Sequence, residues 1–281
     1  MRATKMMMFT LNNGIEIPAI GFGTYKASED AIESAIIEGY RYFDTASFYG
    51  NENVIALAVE RSGLKREELL IASKIWKSDM GYDRTMKAFQ KTLENLRTDY
   101  LDVLMIHWPR PDLELEDWKA LDVETWRAME ELYSQKKVRA LGLSNFLPYH
   151  AENILKNCEV PPTIAQLEFH VGHTQTFALE YYRKKGIQLQ AWSPIGRGRM
   201  IDDELIVELA GKYHVTPVQV CLKFCVQERV MPLPKASSRE RMRENLECLN
   251  FMIDDEDMMR LENVPPMGWG GEHPDRLRVK R

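Results

Sequence analysis

The amino-acid sequence predicts an α/β protein folded as a closed (β/α)8 barrel of the TIM type, preceded by a β-hairpin. Three observations predict it. Short apolar runs alternate with longer amphipathic stretches, the pattern of a parallel sheet with helical crossovers. The 281 residues suit one large barrel, and no Ser/Gly linker, low-complexity block or close repeat divides them. One domain over residues 1–281 is therefore expected. Nearly every apolar run also ends in a polar group, as barrel strands do when they deliver side chains to one mouth. A doubly wound sheet is the competing architecture, but it does not predict that ring of polar ends.

The elements follow in order. "FTLNNGIEI" reads as the hairpin, because Asn13-Gly14 suits a two-residue type I′ turn. Strands are expected at 19–25 (AIGFGTY), 40–46 (YRYFDTA), 69–75 (LLIASKI) and 102–107 (DVLMIH). Four more are expected at 139–145 (RALGLSN), 163–169 (TIAQLEF), 187–193 (IQLQAWS) and 230–236 (VMPLPKA). Between them lie helical patterns. "SEDAIESAIIEG" has Ser28 as its N-cap and Gly39 as its stop. "DRTMKAFQKTLENLRTD" puts Phe89, Leu93 and Leu96 on one face.

Composition removes several function classes. Hydrophobic residues make up 44% of the chain, and 42 acidic against 37 basic side chains leave a formal charge of −5. That balance carries no footprint for nucleic acid or an anionic membrane surface. The basic stretch Arg276 to Arg281 reads as a solvated tail. No apolar run is long enough for a secretion signal or a membrane span. Cys158, Cys221, Cys225 and Cys248 lack zinc or redox spacing and read as buried thiols of a reduced cytoplasm. No metal site is expected.

The strand exits carry the chemistry: Gly23-Thr24, Asp44, Lys74, His107, Ser144-Asn145, Gln166, Trp192-Ser193 and Lys235. Asp44, Lys74 and His107 stand at three successive exits, and Tyr49 lies in the loop after the first. A phenol is a poor acid at neutral pH unless its surroundings help. A nearby ammonium lowers its pKa, an aspartate holds that ammonium, and an imidazole orients a substrate oxygen. Such a set suits protonation of a carbonyl oxygen as charge develops on it. Singly, each residue has a plainer explanation: Asp44 a turn cap, Lys74 a surface charge, His107 a backbone-bonded ring before Pro109. Their joint placement favours the chemical reading.

These residues, with "GFGTY", "YRYFDTASFYGNE", "ASKIW", "MIHWP", "LGLSNF", "QLEFH", "AWSPIGRG" and "LPKASSRERMRENL" in that order, resemble the aldo-keto reductase superfamily along nearly the whole chain. The resemblance implies reversible reduction of an aldehyde or ketone with NADPH. It implies a catalytic tetrad of Asp44, Tyr49, Lys74 and His107, with Tyr49 as general acid. Ser144, Asn145 and Gln166 would bind the nicotinamide carboxamide. Trp192 would stack on the ring, and Gly23 and Thr24 would lie beside its ribose. Ser193, Pro194, Ile195 and Gly196 would lead toward the pyrophosphate. Lys235, Ser238 and Arg241 would hold the 2′-phosphate, and Glu244 and Asn245 the adenine. The chain has no G-x-G-x-x-G after its first strand, so nicotinamide binding does not follow from a dinucleotide fold.

Several positions depart from the family pattern. Ala236 stands where Ser commonly follows the lysine, which implies weaker discrimination against NADH. Ala165 and Val171 replace a common Asn and Pro. Tyr25, Phe48, Trp76 and Trp108 are expected to wall the substrate pocket. With its short C-terminal segment the chain resembles the compact bacterial branch that includes 2,5-diketo-gluconate reductases and methylglyoxal or prostaglandin F synthase-like reductases. A cytoplasmic monomer acting on a small carbonyl compound is expected. The alternatives are a cofactor-binding regulatory subunit, as the potassium-channel β subunits of this fold are, and a metal- or carboxylate-dependent barrel hydrolase or lyase.

Overall fold

A computed structural model describes residues 7–276; the basic tail beyond Arg276 and the first six residues lie outside them. The main sheet contains eight strands: β3 (Phe22–Gly23), β4 (Tyr42–Asp44), β5 (Leu70–Ile75), β6 (Leu101–Ile106), β7 (Val138–Ser144), β8 (Ile164–Glu168), β9 (Gln188–Trp192) and β10 (Val230–Pro232). They pair in sequence order and in parallel. The two edges meet: Gly21 N donates to Pro232 O and Gly23 N to Pro234 O, each at 3.0 Å. The glycines permit that approach, because a Cβ on Gly23 would lie 2.9 Å from Leu233 O.

Helices occupy the crossovers: α1 (Glu29–Glu38), α2 (Glu52–Ser62), α3 (Tyr82–Leu96), α4 (Trp118–Ser134), α5 (Pro148–Leu155), α6 (Thr176–Lys184), α7 (Glu204–Tyr213), α8 (Pro217–Gln227), α9 (Arg239–Glu247) and α10 (Asp255–Glu262). Ser28 caps α1 by accepting from Ala31 N, and Phe89, Leu93 and Leu96 of α3 are buried, as their spacing predicts.

Two apolar clusters result. One joins the outer faces of the strands to the helices. The other fills the barrel with Tyr42, Ala72, Val103, Met105, Ala140, Ile164 and Met231, and includes Phe9, Leu11 and Ile17 of the hairpin. The hairpin strands β1 (Met8–Thr10) and β2 (Glu16–Pro18) pair antiparallel. Asn12 and Asn13 tie the turn to Pro162 O and Arg139 O, beside the starts of β8 and β7.

The turn is not type I′. Leu11 N bonds Ile15 O, Gly14 N bonds Leu11 O, and of Asn13 and Gly14 only Gly14 has positive φ, +85°. Three residues, Asn12 to Gly14, form the loop, with glycine taking the left-handed position alone. Asn13 stays out of the left-handed region, and its side chain donates to Arg139 O and accepts from Ile15 N.

Strand periodicity positions the site. Side chains two apart share a face, so the inward positions Tyr42, Ala72, Met105 and Ile164 lead directly to Asp44, Lys74, His107 and Gln166 at the mouth.

Candidate active site

The mouth is built around one buried ion pair. Lys74 Nζ lies 2.6 Å from Asp44 Oδ1 and donates also to Thr45 O at 2.9 Å. Gln166 Nε2 holds the other oxygen, Asp44 Oδ2, at 2.8 Å, and Gln190 Oε1 at 3.0 Å. Both carboxylate oxygens and the ammonium are thus satisfied in a dry site, the condition under which a buried pair is tolerated.

Tyr49 reaches this pair from a one-turn 3-10 segment, Ser47–Tyr49. That loop is pinned: Ser47 Oγ donates to Lys74 O, and Asn51 Nδ2 donates to Thr24 O while its Oδ1 accepts from Thr45. Lys74 Nζ lies 5.3 Å from the Tyr49 ring centroid. His107 meets Tyr49 edge-on at 5.8 Å. Asn51 and Glu52 are structural: Glu52 is buried and accepts from Ser73, Thr92 and Asn95, joining α2 to β5 and α3.

The charge states follow from burial. Desolvation pushes the Tyr49 phenol well above its usual range, and the Asp44 carboxylate adds to the rise. The net shift is upward, against the lowering that a nearby ammonium alone would bring. Asp44 compensates the ammonium at 2.6 Å, so the phenol faces a nearly neutral pair and the loss of water dominates. Burial also lowers Lys74, which Asp44 partly offsets. His107 is pushed well below the usual imidazole range by burial and by the charges of Lys74 and Lys77, and is neutral at pH 7. Its Nδ1 is buried without a hydrogen-bond partner among the described residues. The arrangement therefore presents a protonated phenol and a neutral imidazole at the barrel mouth.

The pattern of the Aldo/keto reductase family matches residues 19–265. The chain is 39% identical over 272 residues to the glyoxal reductase of Bacillus subtilis, covering 95% of this chain and 96% of that protein. It is 33% identical over 279 residues to the morphine 6-dehydrogenase of Pseudomonas putida, covering 93% and 92%. Among solved structures, an aldo/keto reductase from Brucella melitensis superposes with a TM-score of 0.87 at 32% identity, over 92% of this chain and 99% of that one. The chain belongs to the aldo/keto reductase family. It is an oxidoreductase acting on carbonyls, and the compact bacterial branch is consistent with these relatives.

The positions that the aldo/keto reductase resemblance assigns to a cofactor lie along one side of the mouth. Ser144 and Gln166 are register partners on β7 and β8. Asn145, at φ +62°, donates to His107 O and Ser144 Oγ and accepts from Trp192 Nε1 at 2.9 Å, which fixes the indole plane. Thr24 is buried against Asp44 O. In the Ser193-Pro194-Ile195-Gly196 turn, Gly196 N is already bonded to Ser193 O.

At the far end, α9 sorts its cations. Arg239 and Arg243 are paired with Glu38, whereas among the described residues Lys235 and Arg241 have no carboxylate partner. The two cations left over are the two expected at a 2′-phosphate, and their chemistry fits that group. Ser238 caps α9 by accepting from Arg241 N. Glu244 accepts from Thr216 Oγ1, Asn245 is buried, and so is Ala236.

Of the four aromatic residues expected to wall the pocket, Tyr25, Phe48 and Trp76 cluster around Tyr49 and His107, and only Trp108 lines the cavity under the C-terminal strap. Tyr25 lies 5.0 Å from Tyr49, Phe48 stacks on Trp76 at 3.8 Å, and Trp76 meets His107 edge-on at 5.0 Å. Trp108 lines a cavity of about 240 Å³ with Asn145 and Trp192.

The roof of this cavity went unread in the sequence. Trp269, Glu272, His273, Pro274 and Arg276 come from an irregular C-terminal strap, held by Glu168, Arg199 and the Arg110–His150–Asp275 cluster. The one available signal was glycine on either side of Trp269. Among the described residues no cluster of acidic, His or Cys side chains is placed to hold a metal, and no helix is long and apolar enough to cross a membrane. Cys221, Cys225 and Cys248 are buried free thiols, and Cys158 is half-buried.

Proposed function

We propose that the protein reduces aldehydes or ketones to alcohols with NADPH, and that Tyr49 gives the proton to the carbonyl oxygen. The observation that carries this reading is the Lys74–Asp44 pair at 2.6 Å beneath Tyr49, with His107 alongside. NADPH, when bound, supplies the hydride.

Tyr49, kept protonated by burial, donates as negative charge grows on the oxygen. Lys74, held by Asp44, stabilises the phenolate left behind. Neutral His107 orients the carbonyl by a hydrogen bond. Ser144, Asn145 and Gln166 would hold the carboxamide of the bound cofactor, and Trp192, Gly23 and Thr24 would hold its nicotinamide and ribose. Ser193, Pro194, Ile195 and Gly196 would lie along the pyrophosphate. Lys235, Ser238 and Arg241 would hold the 2′-phosphate, and Glu244 and Asn245 the adenine. Tyr25, Phe48, Trp76 and Trp108 surround the substrate. In this reading the protein is a cytoplasmic monomer with one barrel domain.

The test is NADPH consumption by the purified protein with 4-nitrobenzaldehyde or methylglyoxal. Tight NADPH binding without turnover of either aldehyde would overturn the reading in favour of a cofactor-binding regulatory subunit.

A further inference from the structure

A chain of polar side chains runs from the ion pair down into the apolar interior of the barrel. Asp44 Oδ2 accepts from Gln166 Nε2 at 2.8 Å, and Gln190 Oε1 accepts from the same nitrogen at 3.0 Å. Gln190 Nε2 then donates to the Tyr42 hydroxyl at 2.8 Å and to Met231 Sδ at 3.4 Å.

Gln190 is fully buried on β9, in register with Gln166 of β8 on one side and Met231 of β10 on the other. Tyr42 and Met231 belong to the cluster that fills the barrel. Gln190 therefore lies below the mouth, one neighbour removed from the ion pair.

The chemistry of these groups fixes how the two amides face. The Asp44 carboxylate, paired with Lys74, only accepts. Gln166 must turn its amino group toward Asp44, and the second N–H of that group points to Gln190. Gln190 must answer with its carbonyl, because its amino group there would set donor against donor. Its own N–H groups are left for Tyr42 and Met231. Burial and the Asp44 charge keep the Tyr42 phenol neutral.

The consequence appears at the mouth. With the Gln166 amino group spent on Asp44 and Gln190, its Oε1 is left without a hydrogen-bond partner among the described residues. An amide held by Asp44 alone is free to swing about that one bond; held at two points it is not.

We propose that Gln190 is a positioning residue. By accepting one N–H of Gln166 it keeps the Gln166 carbonyl toward the mouth, where that carbonyl would accept from the carboxamide N–H of the bound cofactor. The proposal rests on the reductase reading above and deepens it. The plainer role is a satisfied amide that merely fills the barrel. A filler would act on every cofactor alike, whereas a positioning residue acts only on one that can donate to Gln166.

The experiment measures dissociation constants by fluorescence titration for NADPH and for its reduced 3-acetylpyridine analogue, whose methyl ketone offers no N–H. Gln190→Met removes the acceptor. Gln190→Asn keeps an amide in the barrel but withdraws it from Gln166, and carries the test if Gln190→Met does not fold. Gln190→Glu accepts from Gln166 in either protonation state. The expected result is a fall of about three- to tenfold in the preference for NADPH over the analogue in Gln190→Met and Gln190→Asn, the worth of one neutral hydrogen bond. Gln190→Glu should retain most of that preference. Because the ratio is taken within one protein, a general loss of packing cancels. A wild type without the preference, or a preference that survives both Gln190→Met and Gln190→Asn, overturns the positioning role and leaves the reductase reading standing. Failure of the wild type to bind NADPH removes both.

Discussion

Glu168 Oε1 accepts the backbone N–H of Gly270 at 2.7 Å, and a Cβ on Gly270 would lie 2.9 Å from that same oxygen. A side chain at position 270 therefore collides with the group that holds the strap. Gly270→Ala is expected to raise KM for small aldehydes about tenfold or more, with a smaller change in kcat and little change in melting temperature. Glu168→Ala should do the same through the other partner. Glu168→Gln, which keeps an acceptor, should restore much of the loss. Hydrogen exchange across 267–275 gives an independent check, and unchanged protection in Gly270→Ala would refute the seat.

Tyr49→Phe removes the only phenol flanked by both Lys74 and His107. Loss of a positioned general acid costs about 10²–10⁴-fold in rate. Steady-state kcat should fall within that range while NADPH affinity, measured by fluorescence titration, stays within about twofold of the wild type, the range expected for a residue that takes no part in binding the cofactor. Retained turnover would remove Tyr49 as the donor.

Lys235→Ala and Arg241→Ala should each weaken NADPH much more than NADH, by about tenfold, the worth of one hydrogen bond to a charged group. Neither residue has a carboxylate partner to lose among the described residues, so stability should hardly change. Equal losses for the two cofactors would contradict the phosphate assignment. Buried Ala236 offers no hydroxyl there, which predicts measurable use of NADH.

Asp122, on α4, is fully buried, accepts among the described residues only from Arg110 N and is pushed by burial up to about 7. An unfolded aspartate releases its proton near pH 4. Between those values the folded protein keeps a proton that the unfolded chain has lost, so Asp122 makes stability fall as pH rises from about 4 to 7. Asp122→Asn should therefore stabilise the protein at pH 8, by progressively less toward pH 5, and match it near pH 4. Thermal melts across that range provide the measurement; a constant difference would show that Asp122 is ionised throughout.

Much of this protein was legible along the chain. Strand positions, the Ser28 cap and the apolar face of α3 depend on periods of two and 3.6 residues, which neighbouring residues alone determine. The same period carried Asp44, Lys74, His107 and Gln166 to one mouth once their strands were known. Asn13-Gly14 misled because a tertiary bond to Arg139 O accompanies a three-residue loop, which the dipeptide alone does not reveal.

What only the tertiary structure decided are relationships across long separations and the loss of water that packing brings. Glu168 and Gly270 are 102 residues apart, and no local pattern joins them. Glu38 takes Arg239 and Arg243 and leaves Arg241, a choice made by the packing of α1 against α9. The direction of the Tyr49 shift also belongs to the fold. The sequence names an ammonium near a phenol, but the balance between its field and desolvation depends on how tightly Asp44 holds Lys74 and how much water the barrel excludes.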